Sequence, residues 1–165
     1  KAGADMLVNS YVHSYKFPII IVRANNIYGT RQYPEKLISK SIYNFIKRKK
    51  MTLHGKGNSY RHYLSVEDFC DGIYKIIKKG KVKEIYNISS TKFYKITDVV
   101  KLICDQFNIE YKNNIVFVKN RPFNDRIYKI NCKKLTKLGW KPIKTLEKEI
   151  PRICDWYLRN KNLFK

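Results

Sequence analysis

The sequence predicts an α/β fold with parallel strands, on three observations. Short apolar runs rich in β-branched residues recur at 17–23 ("FPIIIVR"), 84–89 ("EIYNIS") and 114–120 ("NIVFVKN"). Segments with an apolar residue every three to four positions lie between them. The two kinds of segment alternate, which favours a parallel sheet with helical crossovers over a run of hairpins.

The elements come in order along the chain. "KAGADMLVNSYVHSY" has helical period from the first residue, with Ala2, Met6 and Val8 to Val12 giving one apolar side and no N-cap ahead of it. The run from Pro18 to Val22 fits a strand buried on both faces. Residues 35–50 carry Leu37, Ile38, Ile42, Phe45 and Ile46 at helical spacing and end in lysines, which suit a helix C-terminus. Residues 51–64 read as a strand running into a glycine turn. Residues 65–80 read as a helix. Ser65 and Asp68 resemble a capping box, Ile73, Ile76 and Ile77 form the apolar face, and Gly80 is the stop. After the strand at 84–89, Thr97 caps a helix over 96–108. A strand at 114–120 and a short helix ending at Gly139 precede the last helix, 145–160, in which Pro151 marks either a kink or the first turn.

The chain has 165 residues, 44% of them hydrophobic, enough for one packed domain of ordinary size. The net charge is +22, yet of the 35 basic residues only eight are arginine, which leaves 27 lysines spread along the chain. Lys, Asn, Ile and Tyr are all abundant and share A/T-rich codons, so biased composition explains the charge better than a dedicated nucleic-acid face. The four cysteines, 70, 104, 132 and 154, form no C-x-x-C pair and read as free thiols of a reducing compartment, here the cytoplasm. No apolar run approaches 18 residues, so a membrane span is not expected.

The run ending at Val22 meets Arg23, then Asn25, Asn26 and the Tyr28-Gly29 turn. Asn87 ends another strand. Ligands of such sheets bind beyond the strand C-termini, which makes these amides site candidates. "HGKGNSYRHYLSVED" supplies Arg61, and "NRPFNDRIYKI" supplies Arg121 and Arg126 around a proline turn. Planar guanidinium groups with the Lys36 point charge suit a diphosphate, and the asparagines suit sugar hydroxyls. Taken singly, each has an ordinary structural explanation: loop asparagines cap turns, and surface arginines are solvated. Nothing matches G-x-G-x-x-G or a Walker loop, and no metal site is indicated.

In their order, "NNIYGTRQYPEKLI", "LHGKGNSYRHYLSVEDFCDGIY", "EIYNI", "RPFNDRIYKI" and "LGWKP" resemble the C-terminal half of the dTDP-glucose 4,6-dehydratases. That family is part of the extended short-chain dehydrogenase/reductase superfamily. The resemblance runs over about residues 1 to 160, and its P-E-K-L segment separates 4,6-dehydratases from epimerases and decarboxylases of the superfamily. It implies the C-terminal part of an NAD(P)-binding Rossmann fold plus a small α/β substrate-binding domain. Residues 1–34 would end the Rossmann domain, 35–64 begin the substrate domain, 65–90 return to the Rossmann domain, and 91–165 complete the substrate domain.

"KAGAD" is similar to the segment that begins at the lysine of the family's Y-x-x-x-K motif. Lys1 would then be the catalytic lysine, with its tyrosine, the glycine-rich NAD loop and the acid/base residues upstream of this chain. The resemblance implies NAD as cofactor, touched by Lys1 and the Ile27 backbone. It implies a nucleotide sugar, dTDP- or UDP-glucose, held by Asn26, Lys36, Leu37, Thr52, His54, Arg61, Asn87, Arg121, Asn124 and Asp125. The reaction would be dehydration to a 4-keto-6-deoxy sugar, as in rhamnose biosynthesis, by a homodimer when intact. Residues 1–165 alone would be inactive and poorly soluble, with a sheet edge unpaired. Ser39, His54, His62, Phe123 and Asn124 depart from the family pattern, and those at 54, 123 and 124 leave dTDP and UDP both open. A non-catalytic module binding nucleotide sugar or nucleic acid is the alternative of another class.

Overall fold

Left-handed backbone at Lys16 (φ 55°) ends the first helix, α1 (Ala2–Tyr15), which buries none of its residues. The structure is a computed structural model that describes residues 1–123, 125–127 and 129–164. Of the run expected to be a strand at 17–23, only β1 (Ile21–Ala24) enters a ladder. Pro18 has no N–H to contribute to one. β1 runs parallel to β5 (Ile85–Ile88), with Arg23 opposite Asn87.

The polar stretch after β1 contains a strand that the sequence pattern hides. β2 (Asn26–Tyr28) pairs in parallel with β4 (Tyr60–Ser65), placing Asn26 opposite Tyr63. β6 (Phe93–Lys95), also unexpected, lies antiparallel on the other edge of β4 and is the exception to the parallel rule. The single strand expected over 51–64 is two strands in two sheets. β3 (Met51–His54) pairs in parallel with β7 (Ile115–Val118), while β4 joins β2 and β6. Gly55 and Gly57, at φ 60° and 63°, turn the chain from one sheet to the other, a backbone that side-chain-bearing residues adopt only with strain.

The remaining helices are α2 (Leu37–Ile46), α3 (Val66–Lys79), α4 (Ile96–Gln106), short α5 (Tyr111–Asn114), α6 (Lys133–Thr136) and α7 (Leu146–Arg159). The mixed α/β class with parallel pairing is thus observed. α3 is capped by Ser65, whose Oγ accepts the Glu67 N–H at 3.2 Å. Asp68 does not close the capping box; its carboxylate turns to the segment ahead of α7. The buried face of α3 is Asp68, Gly72 and Ile76, one residue per turn, and Ile77 is exposed. Thr97 is not the cap of α4, since Lys95 occupies that position and Thr97 is buried in the first turn. Pro151 lies in the second turn of α7, where the N–H it lacks costs one bond without ending the helix.

Two apolar cores result. One gathers Ile42, Val99, Val100, Ile103, Leu146, Ile150 and Ile153 between α2, α4 and α7. The other packs Leu64, Ile76, Ile88, Leu135 and Trp140 between α3, α6 and the β1–β5 pair. Burying each such side chain contributes about 1.5–3 kcal/mol, and the chain segments joining the two cores carry the polar residues of the site.

Candidate functional site

The C-terminal end of β1, the whole of β2 and the start of α2 form one wall of a cleft of about 1060 Å³. The physical reason is local. β1 ends where its apolar run ends, and the amides beyond it hold the chain without burying it. The Asn25 Nδ2 donates to Ser89 Oγ at 3.1 Å, tying the wall to the segment after β5. The Asn26 Nδ2 donates to the His62 carbonyl at 3.2 Å, which leaves the amide oxygen to accept. The Ile27 carbonyl accepts from Gln32 Nε2 at 2.8 Å, and this folds the turn back toward α2. Ser39 Oγ donates to the carbonyls of Tyr33 and Lys36, anchoring the "PEKL" corner.

Of the residues singled out from sequence, Lys1, Asn26, Ile27, Lys36, Leu37, Arg61 and Asp125 line this cleft. They come from the start of α1, from β2, from the corner before α2, from β4 and from the loop after β7. Arg61 is held by donation from Nη1 to the Tyr60 carbonyl at 2.8 Å and to the Arg126 carbonyl at 3.5 Å. Lys36 pairs with Glu35 at 2.8 Å on the surface.

Others lie elsewhere. Thr52 and His54 are on the exposed face of β3 and do not line the cleft, and His54 Nδ1 sits 3.3 Å from the Lys119 carbonyl. Asn87 faces a smaller hollow with Ile85, Asn131, Lys133 and Lys134, and donates to the Asn131 carbonyl at 3.1 Å. Arg23 borders both that hollow and the cleft. Arg121 is exposed outside the cleft, its N–H on the Asn120 side chain. Asn124 lies outside the described residues.

The polar or charged cleft residues that escaped the sequence reading as site residues include Asp5, Arg23, Tyr28, Gln32 and Tyr63. Asp5 and Arg23 form an ion pair at 2.5 Å. The signals were present: Asp5 lies one helical turn beyond Lys1, and Tyr63 shares a strand face with Arg61. Among the lining residues the cations Lys1, Arg23, Lys36 and Arg61 outnumber the carboxylates Asp5 and Asp125, and Glu35 beside Lys36 lowers that excess to one positive charge, still of the sign that suits a diphosphate. Burial pushes the hydroxyls of Tyr28 and Tyr63 far above the ordinary phenol range, so neither phenol of the cleft serves as a base near neutral pH. His62 stands outside the cleft, its ring tilted by 39° against that of Phe93 with centroids 3.7 Å apart. Burial lowers its pKa, against the Lys92 carbonyl that raises it.

Among the described residues no three metal-ligating side chains cluster, and no helix is long and apolar enough to cross a membrane.

Comparison with known proteins places this geometry. The family profile described as GDP-mannose 4,6 dehydratase matches residues 1–153. An Arabidopsis thaliana trifunctional UDP-glucose 4,6-dehydratase/epimerase/reductase is 44% identical over 160 residues, covering 97% of this chain and 24% of that protein. The dTDP-glucose 4,6-dehydratase of Escherichia coli is 38% identical, covering 98% of this chain and 47% of that protein. The crystal structure of the Bacillus anthracis dTDP-glucose 4,6-dehydratase in complex with NAD superposes with a TM-score of 0.90 at 35% identity, over 99% of this chain and 52% of that one. The chain thus spans about half the length, or less, of the relatives it matches.

Proposed function

This chain belongs to the GDP-mannose 4,6 dehydratase family, and from that membership we propose that it is the nucleotide-sugar-binding part of an NAD-dependent 4,6-dehydratase acting on dTDP- or UDP-glucose. The observation that carries the reading is the cleft itself, where Lys1, Asn26, Lys36, Leu37, Arg61 and Asp125 converge from five separate segments.

Arg61 and Lys36 neutralise the diphosphate, Arg61 through its planar fork and Lys36 as a point charge. The free amide oxygen of Asn26 accepts a sugar hydroxyl, and Leu37 supplies apolar contact to the nucleoside. Lys1, at the cleft rim, stabilises the phenolate of a tyrosine four positions ahead of it and so makes that phenol a usable base.

The residues present fit one end of NAD. The Lys1 ammonium can donate to a ribose hydroxyl, and the Ile27 side lies on the same wall, although its carbonyl is already engaged by Gln32. NAD, when bound, supplies reversible hydride storage. In this reading Thr52 and His54 meet the nucleotide from the exposed face of β3, Arg121 and Asn124 from the sequence after β7, and Asn87 from β5 by way of the hollow that Arg23 shares with the cleft. Both nucleotides have support among the relatives, since the Arabidopsis protein is named for UDP-glucose and the Escherichia coli protein for dTDP-glucose.

The complete protein would act as a homodimer, for which α1 offers Met6, Leu7, Tyr11 and Tyr15, all exposed. The four cysteines are free, in keeping with the cytoplasm.

The test is turnover of dTDP-glucose and UDP-glucose, side by side, by the complete protein that carries this chain. A 4-keto-6-deoxy product that disappears in Lys1→Met is expected. Absence of that product from both sugars would sink the proposal, as would epimerised sugar in its place.

A further inference from the structure

Along β4 the side chains alternate between two faces. Arg61 and Tyr63 line the cleft, and His62, between them, lines a second hollow of about 350 Å³ on the other face. Phe93, Ile130, Trp140 and Pro142 form its apolar walls. Lys129 and Lys133 also line it, and among the described residues no carboxylate does. An apolar hollow of this size with a few polar groups is what small-molecule sites are made of.

Several of its polar side chains are already engaged. Ser90 Oγ donates to the Lys92 carbonyl at 3.4 Å, Cys132 Sγ to the Ser89 carbonyl at 3.8 Å, and Thr136 Oγ1 to the Lys133 carbonyl at 3.0 Å. Trp140 Nε1 donates to the Asp68 carbonyl at 3.1 Å, so the indole offers the hollow only its ring. His62 is different. It is 5% exposed and lies against Phe93, its cross-strand partner. Its Nδ1 lies 3.2 Å from the Lys92 carbonyl. A carbonyl can only accept, so Nδ1 carries the proton. Burial holds the ring below the ordinary imidazole pKa. The ring is therefore neutral near pH 7, and Nε2 is a lone-pair acceptor. Among the described residues Nε2 has no hydrogen-bond partner. The Lys129 Nζ stands 6.0 Å from the centroid of the same Phe93 ring, so a cation and the vacant acceptor flank one aromatic side chain.

We propose that this hollow is a second binding site, for a small aromatic carboxylate that bears an O–H or N–H donor on its ring. The donor meets His62 Nε2, the ring lies against Phe93, Trp140 and Pro142, and Lys129 and Lys133 hold the carboxylate. Two point charges with no guanidinium fork suit a single carboxylate better than a diphosphate. The site is separate from the cleft, with Ile130 bordering both, and does not depend on the dehydratase reading.

The experiment uses the complete protein with 4-hydroxybenzoate, and with benzoate and phenol as probes that each lack one polar group. Calorimetry gives the affinities, and the His62 Cε1–H signal reports the contact by NMR. The expected result is saturable binding of 4-hydroxybenzoate with a Kd of about 1 mM or below, a shifted His62 signal, and benzoate and phenol each weaker by about fivefold or more. His62→Phe abolishes the preference for 4-hydroxybenzoate over benzoate. Lys129→Ala with Lys133→Ala, both exposed positions, lowers the affinity for 4-hydroxybenzoate to that for phenol and leaves phenol unchanged. Arg61→Gln, on the cleft face of the same strand, alters none of these affinities. Three results would each overturn the proposal: no saturable binding, equal affinity for benzoate and 4-hydroxybenzoate in the wild type, or unchanged affinity in the double lysine variant. Loss of binding in Arg61→Gln would place the ligand in the cleft and overturn it as well. If His62→Phe does not fold, the double lysine variant and the probe series on the wild type still decide.

Discussion

The Asp68 carboxylate on α3 accepts the backbone N–H of Lys144, 76 residues away, at 2.8 Å. The same oxygen takes the Ile143 N–H at 3.1 Å, and the Asp68 carbonyl receives Trp140 Nε1 at 3.1 Å. One residue, 6% exposed, therefore fastens the stretch between α6 and α7 onto α3. Through α3, which comes directly after β4, it joins the core under the β1–β5 pair to the helix that closes the other core.

Removing that carboxylate leaves two backbone donors without their acceptor. Asp68→Ala is expected to destabilise the fold by about 2–4 kcal/mol, since hydrogen bonds to a charged group contribute more than neutral ones and stranded donors add their desolvation cost. Asp68→Asn, which keeps one acceptor oxygen, should lose less. Urea denaturation of the complete protein checks both. Equal midpoints for wild type and Asp68→Ala would show that the clamp contributes nothing.

Gly72 is the contact point of α3 with the β1–β5 pair. A Cβ there would lie 2.1 Å from Ile88 Cδ1 and 3.1 Å from Trp140 Nε1. Alanine ordinarily gains about 1 kcal/mol over glycine inside a helix. Here overpacking, about 1–3 kcal/mol, outweighs that gain, so Gly72→Ala is expected to be net destabilising. The partner atom is known, which makes the prediction sharp. Ile88→Val removes Cδ1 and alone costs about 0.5–1.5 kcal/mol. The double variant should be more stable than the sum of the single effects predicts. Additive losses in thermal or chemical denaturation would place the collision elsewhere.

How much of the fold was legible in the sequence depends on which forces act locally. α2, α3 and α7 were readable because periodicity, and in α3 the Ser65 cap, are written in neighbouring residues. β2 was hidden because Asn25 and Asn26 break the apolar pattern, and its pairing comes from β4, more than thirty residues away. β6 was hidden because three residues carry too little pattern. Asp68 looked like half of a capping box because the spacing fits, but two long-range N–H groups outcompete the local one. In the cleft, Asn26, Lys36 and Arg61 were found as types of group suited to a diphosphate sugar, and Lys1 only through the family resemblance. Arg23 was seen only as the end of a strand, since its partner Asp5 is a tertiary fact.

Glu147, at the start of α7, receives hydrogen bonds from Lys92 Nζ and, at 2.8 Å, from the Tyr94 hydroxyl. Burial alone would raise its pKa, but the Lys92 bond, with Tyr94 and the backbone, outweighs that and pulls it down to about 2. A carboxylate depressed in the fold stabilises fully above its unfolded pKa, and the contribution is lost as pH falls through the folded one. The window therefore runs from about pH 4.5 down to about 2. Lys92 is raised by the same bond, so the pair stays charged from that window up to the ordinary lysine range. The side chains of Glu147 and Lys92 are 40% and 60% exposed, so salt screens the pair and its net effect is expected at the low end for such contacts. Denaturation midpoints of wild type and Glu147→Gln at pH 6, 4.5 and 3 test this. The two proteins should differ at pH 6 and converge toward pH 3 at low salt. A gap that stays constant over that range would mean that Glu147 contributes through packing and not through its charge.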